Sequence, residues 1–319
     1  MRIAVGIDVG GTSTKGALVS EEGEVLERLE MPTEIKAATK SVIAVAERLV
    51  TLAEGSGQGV AAVGIGAAGF IDHAEGCVTF SPNLVYDDPQ LRTALQSRLQ
   101  LPVTVDNDAN AAAWGERAFG AAHGSDHVAM LTLGTGIGSG FIVEGRLLRG
   151  FTGAGAEFGH VVVDPTGPPC PCGLRGCLEQ LASGAAIGRM GREAAEADPA
   201  SEMIRLAGSV VAIEGEHVAA AAARLDDAAT RILSRAGRAL AVGLSNLVNI
   251  FDPEVIVLGG SAVEAGEPFL GPARDELVRM TAAQRRRPAR VDRSRLGNDA
   301  GILGAAALAL DDLNDGGDR

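Results

Sequence analysis

Two stretches of this chain are written in one pattern, and that repetition limits the folds open to it. The first has an apolar run over residues 2–9, a break at Gly10-Gly11-Thr12-Ser13-Thr14-Lys15, a second apolar run to Val19 and a third after Gly23. The other starts at His127, with an apolar run over 128–133, then Gly134-Thr135-Gly136-Ile137-Gly138-Ser139-Gly140, a run over 141–143 and a turn at Glu144-Gly145-Arg146. Each reads as strand, Gly/Thr turn, strand, turn, strand. One such unit in each half predicts a duplicated α/β architecture with a ligand between the halves. A length of 319 residues agrees, being long for one core.

Helices fill the intervals. Residues 37–54 are amphipathic, with Val42, Val45, Ala46 and Leu49 on one face, and residues 227–250 carry a longer stripe through Ile232, Leu233, Ala236, Leu240, Leu244, Leu247 and Val248. The second helix stops at Asp252-Pro253, after which 254–258 reads as a buried strand running into Gly259-Gly260-Ser261. Residues 60–65 form another strand that closes on glycines, and the acidic, Gly-rich tail 311–319 is expected to fray.

A net charge of −13 lacks the clustered positive surface that nucleic acid or an anionic membrane requires. Arg285-Arg286-Arg287 is the one basic run, and it reads as a solvated loop. Met1-Arg2 leads into an apolar stretch too short for a secretory signal, and no run reaches membrane-spanning length. Three of the four cysteines fall between Cys170 and Cys177, a clustering that suits metal binding in a reducing cytoplasm; Cys77 stands apart and is expected to be a buried small hydrophobe.

Phosphate groups are held by backbone N–H donors aimed into a shared space, which glycine-rich turns supply. Gly10-Gly11-Thr12 with Lys15, and Gly134-Thr135-Gly136, are two such turns in matched positions, and Gly259-Gly260 is a third. None is a Walker A loop. Asp8 ends the strand before the first turn, where a carboxylate can hold Mg²⁺ directly or through water.

A short strand over 101–106 precedes Asn107-Asp108-Ala109-Asn110, so Asp108 falls in the first turn of a helix, where the dipole favours its ionised form. It can take a proton from an attacking hydroxyl; as a bare pattern, Asn107 or Asp108 serves equally well as a helix cap. His160, Cys170, Cys172 and Cys177 offer an imidazole and three thiolates, a set suited to a closed, structural Zn²⁺ site. Glu157 and Glu179 flank this cluster, as sugar-binding carboxylates or as surface residues.

From Asp8 to Gly304 these segments resemble the ROK family (repressors, open reading frames and kinases), and within it the bacterial ATP-dependent glucokinases. The most specific piece is Glu157-Phe158-Gly159-His160 followed by Cys170-Pro171-Cys172-Gly173-Leu174-Arg175-Gly176-Cys177-Leu178-Glu179, which looks like the family's zinc-and-sugar motif. The resemblance implies an α/β, actin-like (ribonuclease-H-like) duplicated ATPase fold of two domains with a central cleft. Its smaller N-terminal domain would take residues 1–117 plus about 300–319, and its larger domain, with the zinc loop, residues 118–299. By the same resemblance Asn83, Asn107, Asp108, Glu157, His160 and Glu179 contact the sugar, and Asp108 is the base. ATP with Mg²⁺ is the donor, glucose the first choice of acceptor, and a homodimer or homotetramer the assembly. Pro171, Leu178 and Tyr86 depart from the family pattern, where Gly, Trp and Trp are common.

Three functions compete. A hexose kinase uses every motif above, with mannose, N-acetylglucosamine or N-acetylmannosamine as other acceptors and polyphosphate as another donor. A repressor of this family carries an N-terminal helix-turn-helix, for which a first strand at residue 3 leaves no room. A non-catalytic sugar sensor has no use for Asp8, both turns and Asp108 together.

Overall fold

In a computed structural model of the chain, which describes residues 1–281 and 289–314, the repeated pattern becomes two sheets of identical order. Strands Ile3–Val9 (β1), Ser13–Ser20 (β2) and Val25–Pro32 (β3) form an antiparallel meander. To β1 are added, in parallel, Ala62–Ala67 (β4) and then Val103–Asn107 (β7), giving the order β3-β2-β1-β4-β7. The second sheet repeats this as β10-β9-β8-β11-β12, built from Val128–Leu133 (β8), Ile137–Val143 (β9), Arg146–Leu147 (β10), Val255–Gly259 (β11) and Arg290–Arg293 (β12). A small hairpin, Phe70–Asp72 (β5) with Cys77–Phe80 (β6), stands outside both. The duplicated α/β reading of the sequence is therefore met strand for strand. One boundary differs: the glycine-rich break after β8 is only Gly134-Thr135-Gly136, because Ile137 already pairs as strand and the later glycines lie within β9.

The chain divides into two compact units, one of Met1–Met130, Gly140–Ala156 and Ser294–Arg319, the other of Leu131–Ser139 and Glu157–Arg293. In the first unit, helix Ala38–Gly55 (α1) buries Val42, Val45, Ala46 and Leu49, the stripe read from the sequence. Helix Leu91–Leu99 (α2) packs Leu91 and Leu95 into the same apolar cluster. The other face of the sheet takes helix Asp108–Phe119 (α3) and the C-terminal helix Ala300–Asn314. Residues 300–310 of that helix are all buried, as a helix enclosed on every side must be. Backbone approach here is extreme: a Cβ on Gly64 would collide with the Ala305 carbonyl, one on Gly6 with the Ile302 carbonyl, and one on Gly304 with the Ala111 carbonyl.

The tail does not fray where expected. Helix continues to Asn314 because its acidic residues are anchored: Trp114 Nε1 donates to Asp311 (2.9 Å) and Thr104 Oγ1 to Asp312 (2.6 Å). Residues 315–319, and the run Arg285-Arg286-Arg287, lie outside the described residues. Glu116 is fully buried in α3, where its carboxylate accepts from Ser294 Oγ and from the Ala121, Arg295 and Leu296 N–H groups.

In the second unit, short helices Glu179–Ala182 (α4), Gly184–Glu196 (α5), Glu202–Ala207 (α6) and Gly215–Ala223 (α7) lead to the long helix Asp227–Phe251 (α8). Asp226 caps α8, accepting from Ala229 N (2.8 Å), and Asp252 at φ 41 ends it before Pro253. Helix Glu267–Met280 (α9) packs along α8. Cys77, expected to be buried, is half-buried on the edge hairpin instead.

Gly304→Ala should lower unfolding free energy by about 2–3 kcal/mol, since one methyl forces two backbones apart. Gly55→Ala, where a Cβ meets open space, should change it by less than about 1 kcal/mol. Urea unfolding of the two variants checks the contrast.

Candidate functional site

Sheet register brings the acidic residues of the first unit to one end of the sheet. Asp8 near the end of β1 is level with Gly66 of β4, which is level with Asp106 of β7; Asn107 follows and α3 begins at Asp108. A Cβ on Gly66 would press on Ala111 and the Asp108 backbone, so the glycine admits the first turn of α3 over the sheet. Across the β1–β2 hairpin Lys15 stands opposite Asp8. Thr33, just after β3, braces the first glycine turn, donating from Oγ1 to Gly10 O (2.8 Å), while Gly10 N donates to Ser13 O (3.0 Å). Gly11 and Thr12 are exposed at its tip.

Both readings of Asn107-Asp108 hold at once. Asn107 is the cap, its Oδ1 accepting from Ala109 N (2.9 Å) and Asn110 N (3.1 Å), and its Nδ2 donating to Gly69 O (3.1 Å). Asp108 is half-buried in the first turn, and desolvation of its carboxyl raises the pKa; the Ala109 N–H, its own N–H and Asn107 pull the other way. The N-terminal donors thus favour the ionised form as the helix start predicts, but desolvation outweighs them and the net direction is upward. Asp8 is pushed up to about 6, first by burial, then by the charge of Asp108, with Lys15 opposing. Tyr86 lies close enough for both carboxylates to raise its phenol further, burial being the main cause. Its hydroxyl leans towards the Ala68 backbone without a well-aligned hydrogen bond, and Ser81 Oγ is likewise buried and unpartnered. Asn83 lies between them in sequence, exposed in the loop before α2.

In the second unit the turn after β8 is held from two sides. Gly184 N at the start of α5 donates to Gly134 O (2.7 Å), and Glu179 Oε2 accepts from Ile137 N (3.0 Å). Glu179 is therefore half committed to shaping the turn, a role the sequence did not suggest. Gly260, at φ 86, lies against the Leu133 backbone, where any Cβ would clash. Between these glycines opens a cavity of about 450 Å³, lined by Gly134, Thr135, Gly184, Arg192, Glu214, Gly215, Glu216, Ser261 and Glu264 among others. Of its lining, the sequence reading named Gly134, Thr135 and Ser261; Gly184 and Gly215 carried no pattern that marked them. Gly259 ends β11 just before Gly260.

The cysteine–histidine set also assembles. The ligand atoms of His160, Cys170, Cys172 and Cys177 all lie within 4.8 Å of one another, with Cys170 Sγ 3.6 Å from His160 Nδ1 and Cys172 Sγ 3.6 Å from Cys177 Sγ. A tetrahedral ion with Zn–S near ~2.3 Å would set its ligands roughly 3.5–3.8 Å apart, so the donor set fits. Gly173 and Gly176 turn the loop at φ 94 and φ 67. Burial raises the Cys170 and Cys177 thiols, whereas the Leu174 N–H lowers exposed Cys172. Pro171 is exposed beside them, and Leu178 is buried against Gly243 of α8, filling its place without an aromatic ring. Glu157 is exposed just before the short 3₁₀ turn Phe158–His160, which Ser139 Oγ steadies by accepting from Phe158 N (3.0 Å).

Residues 4–312 match the model of the ROK family. The chain belongs to the ROK family. It is 41% identical to a glucokinase of Thermotoga maritima over 306 residues, 95% of this chain and 96% of that one. With a glucokinase of Streptomyces coelicolor it shares 38% identity over 315 residues, 97% and 98% of the two chains. A ROK family glucokinase from Streptomyces griseus, solved with glucose and AMPPNP, superposes with a TM-score of 0.83 at 40% identity, covering 97% of this chain and 99% of its own. The fold is accordingly the actin-like ATPase fold of the ROK glucokinases.

Asp8 supplies a test of the acid pair. A carboxyl raised from 3.8 to about 6 on folding contributes its stability fully below pH 3.8 and loses it as pH climbs through 6. Asp8→Asn should therefore stabilise the ligand-free protein by about 2–3 kcal/mol at pH 7 and by far less at pH 4.5. Denaturation at both pH values checks the sign.

Proposed function

We propose that this ROK protein is a glucokinase, moving the γ-phosphoryl group of ATP to the 6-hydroxyl of glucose. The observation that carries this is the half-buried pair Asp8 and Asp108, set beside a glycine turn at the end of the first sheet and retained in a chain matching glucokinases over nearly its whole length. Burial that raises its pKa suits Asp108 to accept a proton near neutral pH. In the transfer, the 6-hydroxyl oxygen forms a bond to the γ-phosphorus, its proton passes to Asp108, and the bond to ADP breaks. Because the transition state is loose, orientation of the hydroxyl is the larger part of that role.

Asp8 would hold Mg²⁺, which supplies charge neutralisation on the phosphates, and Lys15 with Gly10, Gly11 and Thr12 would face the phosphates. In the second unit, Gly134, Thr135, Gly136, Gly259 and Gly260 would serve the nucleotide from the cavity described. Three carboxylates line that cavity, Glu214, Glu216 and Glu264, against Arg192, whose guanidinium already donates to Ile213 O. Such a lining opposes a long polyanion and tolerates a neutral nucleoside, which favours ATP over polyphosphate.

Asn83, Asn107, Asp108, Glu157, His160 and Glu179 are the proposed sugar ligands. Glu179 retains acceptor capacity beyond Ile137. Unpartnered hydroxyls at Ser81 and Tyr86, on either side of Asn83, are what a polyhydroxyl ligand would satisfy. His160, with Cys170, Cys172 and Cys177, would hold a structural Zn²⁺ through Nδ1, the nitrogen facing Cys170. The imidazole proton then resides on Nε2, leaving that atom to donate to a sugar oxygen. Four protein ligands leave no open position for chemistry on the ion. A cytoplasmic homodimer or homotetramer is proposed on the family resemblance; no helix among the described residues is long and apolar enough to cross a membrane.

A coupled assay over glucose, mannose, N-acetylglucosamine and N-acetylmannosamine, with ATP and polyphosphate as donors, tests the reading: glucose with ATP should give the highest kcat/KM. Asp108→Asn should cut kcat at least about 100-fold while glucose binding by calorimetry stays within a few-fold. Elemental analysis should return about one zinc per chain, and Cys172→Ala should lose both metal and glucose affinity. Full activity in zinc-free protein would remove the metal from the account.

A further inference from the structure

Asp106 precedes the proposed sugar-binding Asn107 and is 2% exposed, yet it has no part in the functions assigned above. Its two oxygens are shared out in a particular way. Oδ1 accepts from the Asn107 backbone N–H (2.8 Å) and from Asn110 Nδ2 (2.9 Å) in the first turn of α3. Oδ2 accepts from Arg149 Nε (2.8 Å), and His73 Nδ1 lies 3.6 Å from the same oxygen. Arg149 opens the loop that leads into Glu157; Gly155 N closes that loop on Arg149 O (2.9 Å), with Gly150 and Gly153 at positive φ. One carboxylate thus ties the end of β7 and the helix carrying Asp108 to the base of the loop before Glu157.

From this we infer that Asp106 is a positioning residue for the acceptor sugar, acting through Asn107, Asp108 and the Arg149 loop. The inference rests on the sugar-kinase reading above. A buried ion pair is seldom retained for stability, since neutral side chains of the same shape serve as well or better. What an ion pair with fixed partners does supply is geometry, and a misplacement of ~1 Å at reacting groups costs on the order of 100-fold in rate. Asp106 also accepts the Asn107 backbone N–H, while the Asn107 side chain caps α3 and donates to Gly69 O.

Asp106→Asn keeps the shape and an acceptor for Asn107 and Asn110 but presents an amide to Arg149. In the full-length protein it should raise the KM for glucose about tenfold and lower kcat several-fold, with the KM for ATP within about twofold of wild type. Arg149→Lys, altering the more exposed partner, should give the same split and serves if Asp106→Asn does not fold. Asp106→Asn combined with Arg149→Gln removes both charges; it should recover thermal stability while the glucose KM stays raised. Wild-type glucose kinetics in Asp106→Asn or Arg149→Lys, equal rises in both KM values, or a restored glucose KM in the double variant would each overturn the inference. A wild-type protein that phosphorylates no hexose would overturn the sugar-kinase reading and this inference together; unaltered variants beside an active wild type would overturn the inference alone.

Discussion

Everything in the first unit depends on three backbones meeting at van der Waals distance without side chains between them. Gly6 and Gly64 in the sheet, Gly304 in the C-terminal helix and Gly66 beneath α3 let the two helices settle directly on β1 and β4. Apolar burial drives that contact, but it is the missing Cβ atoms that set its distance. With the helices that close, the Asp108 backbone comes down over Gly66 and the Asp8 carboxylate lies against Gly301, so both acids are partly desolvated.

The acid pair is consequently held against its own preference. Desolvation raises both carboxyls, the charge of Asp108 raises Asp8 further, and Lys15 across the hairpin offsets only part of this. A cation beside Asp8 and a hydroxyl beside Asp108, as in the proposed sugar-kinase reading, would each relieve that pair. The cysteine–histidine loop of the second unit poses the same problem with thiols in place of carboxyls: burial resists the thiolates until a divalent cation favours them. Each unit thus carries a cluster whose electrostatics a bound cation would ease.

Much of this was legible from residue order. The strand–turn–strand repeat foretold both sheets, the Leu/Val stripe foretold α8 to within a residue at its C-terminal end, and Asn107-Asp108 foretold a helix start. Local signals succeed there because the partners are neighbours in sequence. Asp106, Glu116, Asp311 and Asp312 were invisible for the opposite reason: Asp106 meets Arg149, Glu116 meets Ser294, and the two tail aspartates meet Trp114 and Thr104, pairings that only the folded chain creates. For Asp108 the sequence showed the helix start, a local property, and not the desolvation that opposes it, which the fold creates.

The enclosed C-terminal helix also has a meaning for the order of synthesis. Gly6 is made among the first residues, whereas the Ile302 carbonyl that covers it comes near the end. At ~5–20 residues per second, that face of the sheet waits about 15–60 s on the ribosome with its apolar surface uncovered. The second unit, whose residues all lie between these two, can be complete before the first closes. A protein whose opening strand is sealed by its closing helix is thus one that chaperones meet as a half-finished sheet, and whose final stretch decides whether the rest was worth keeping.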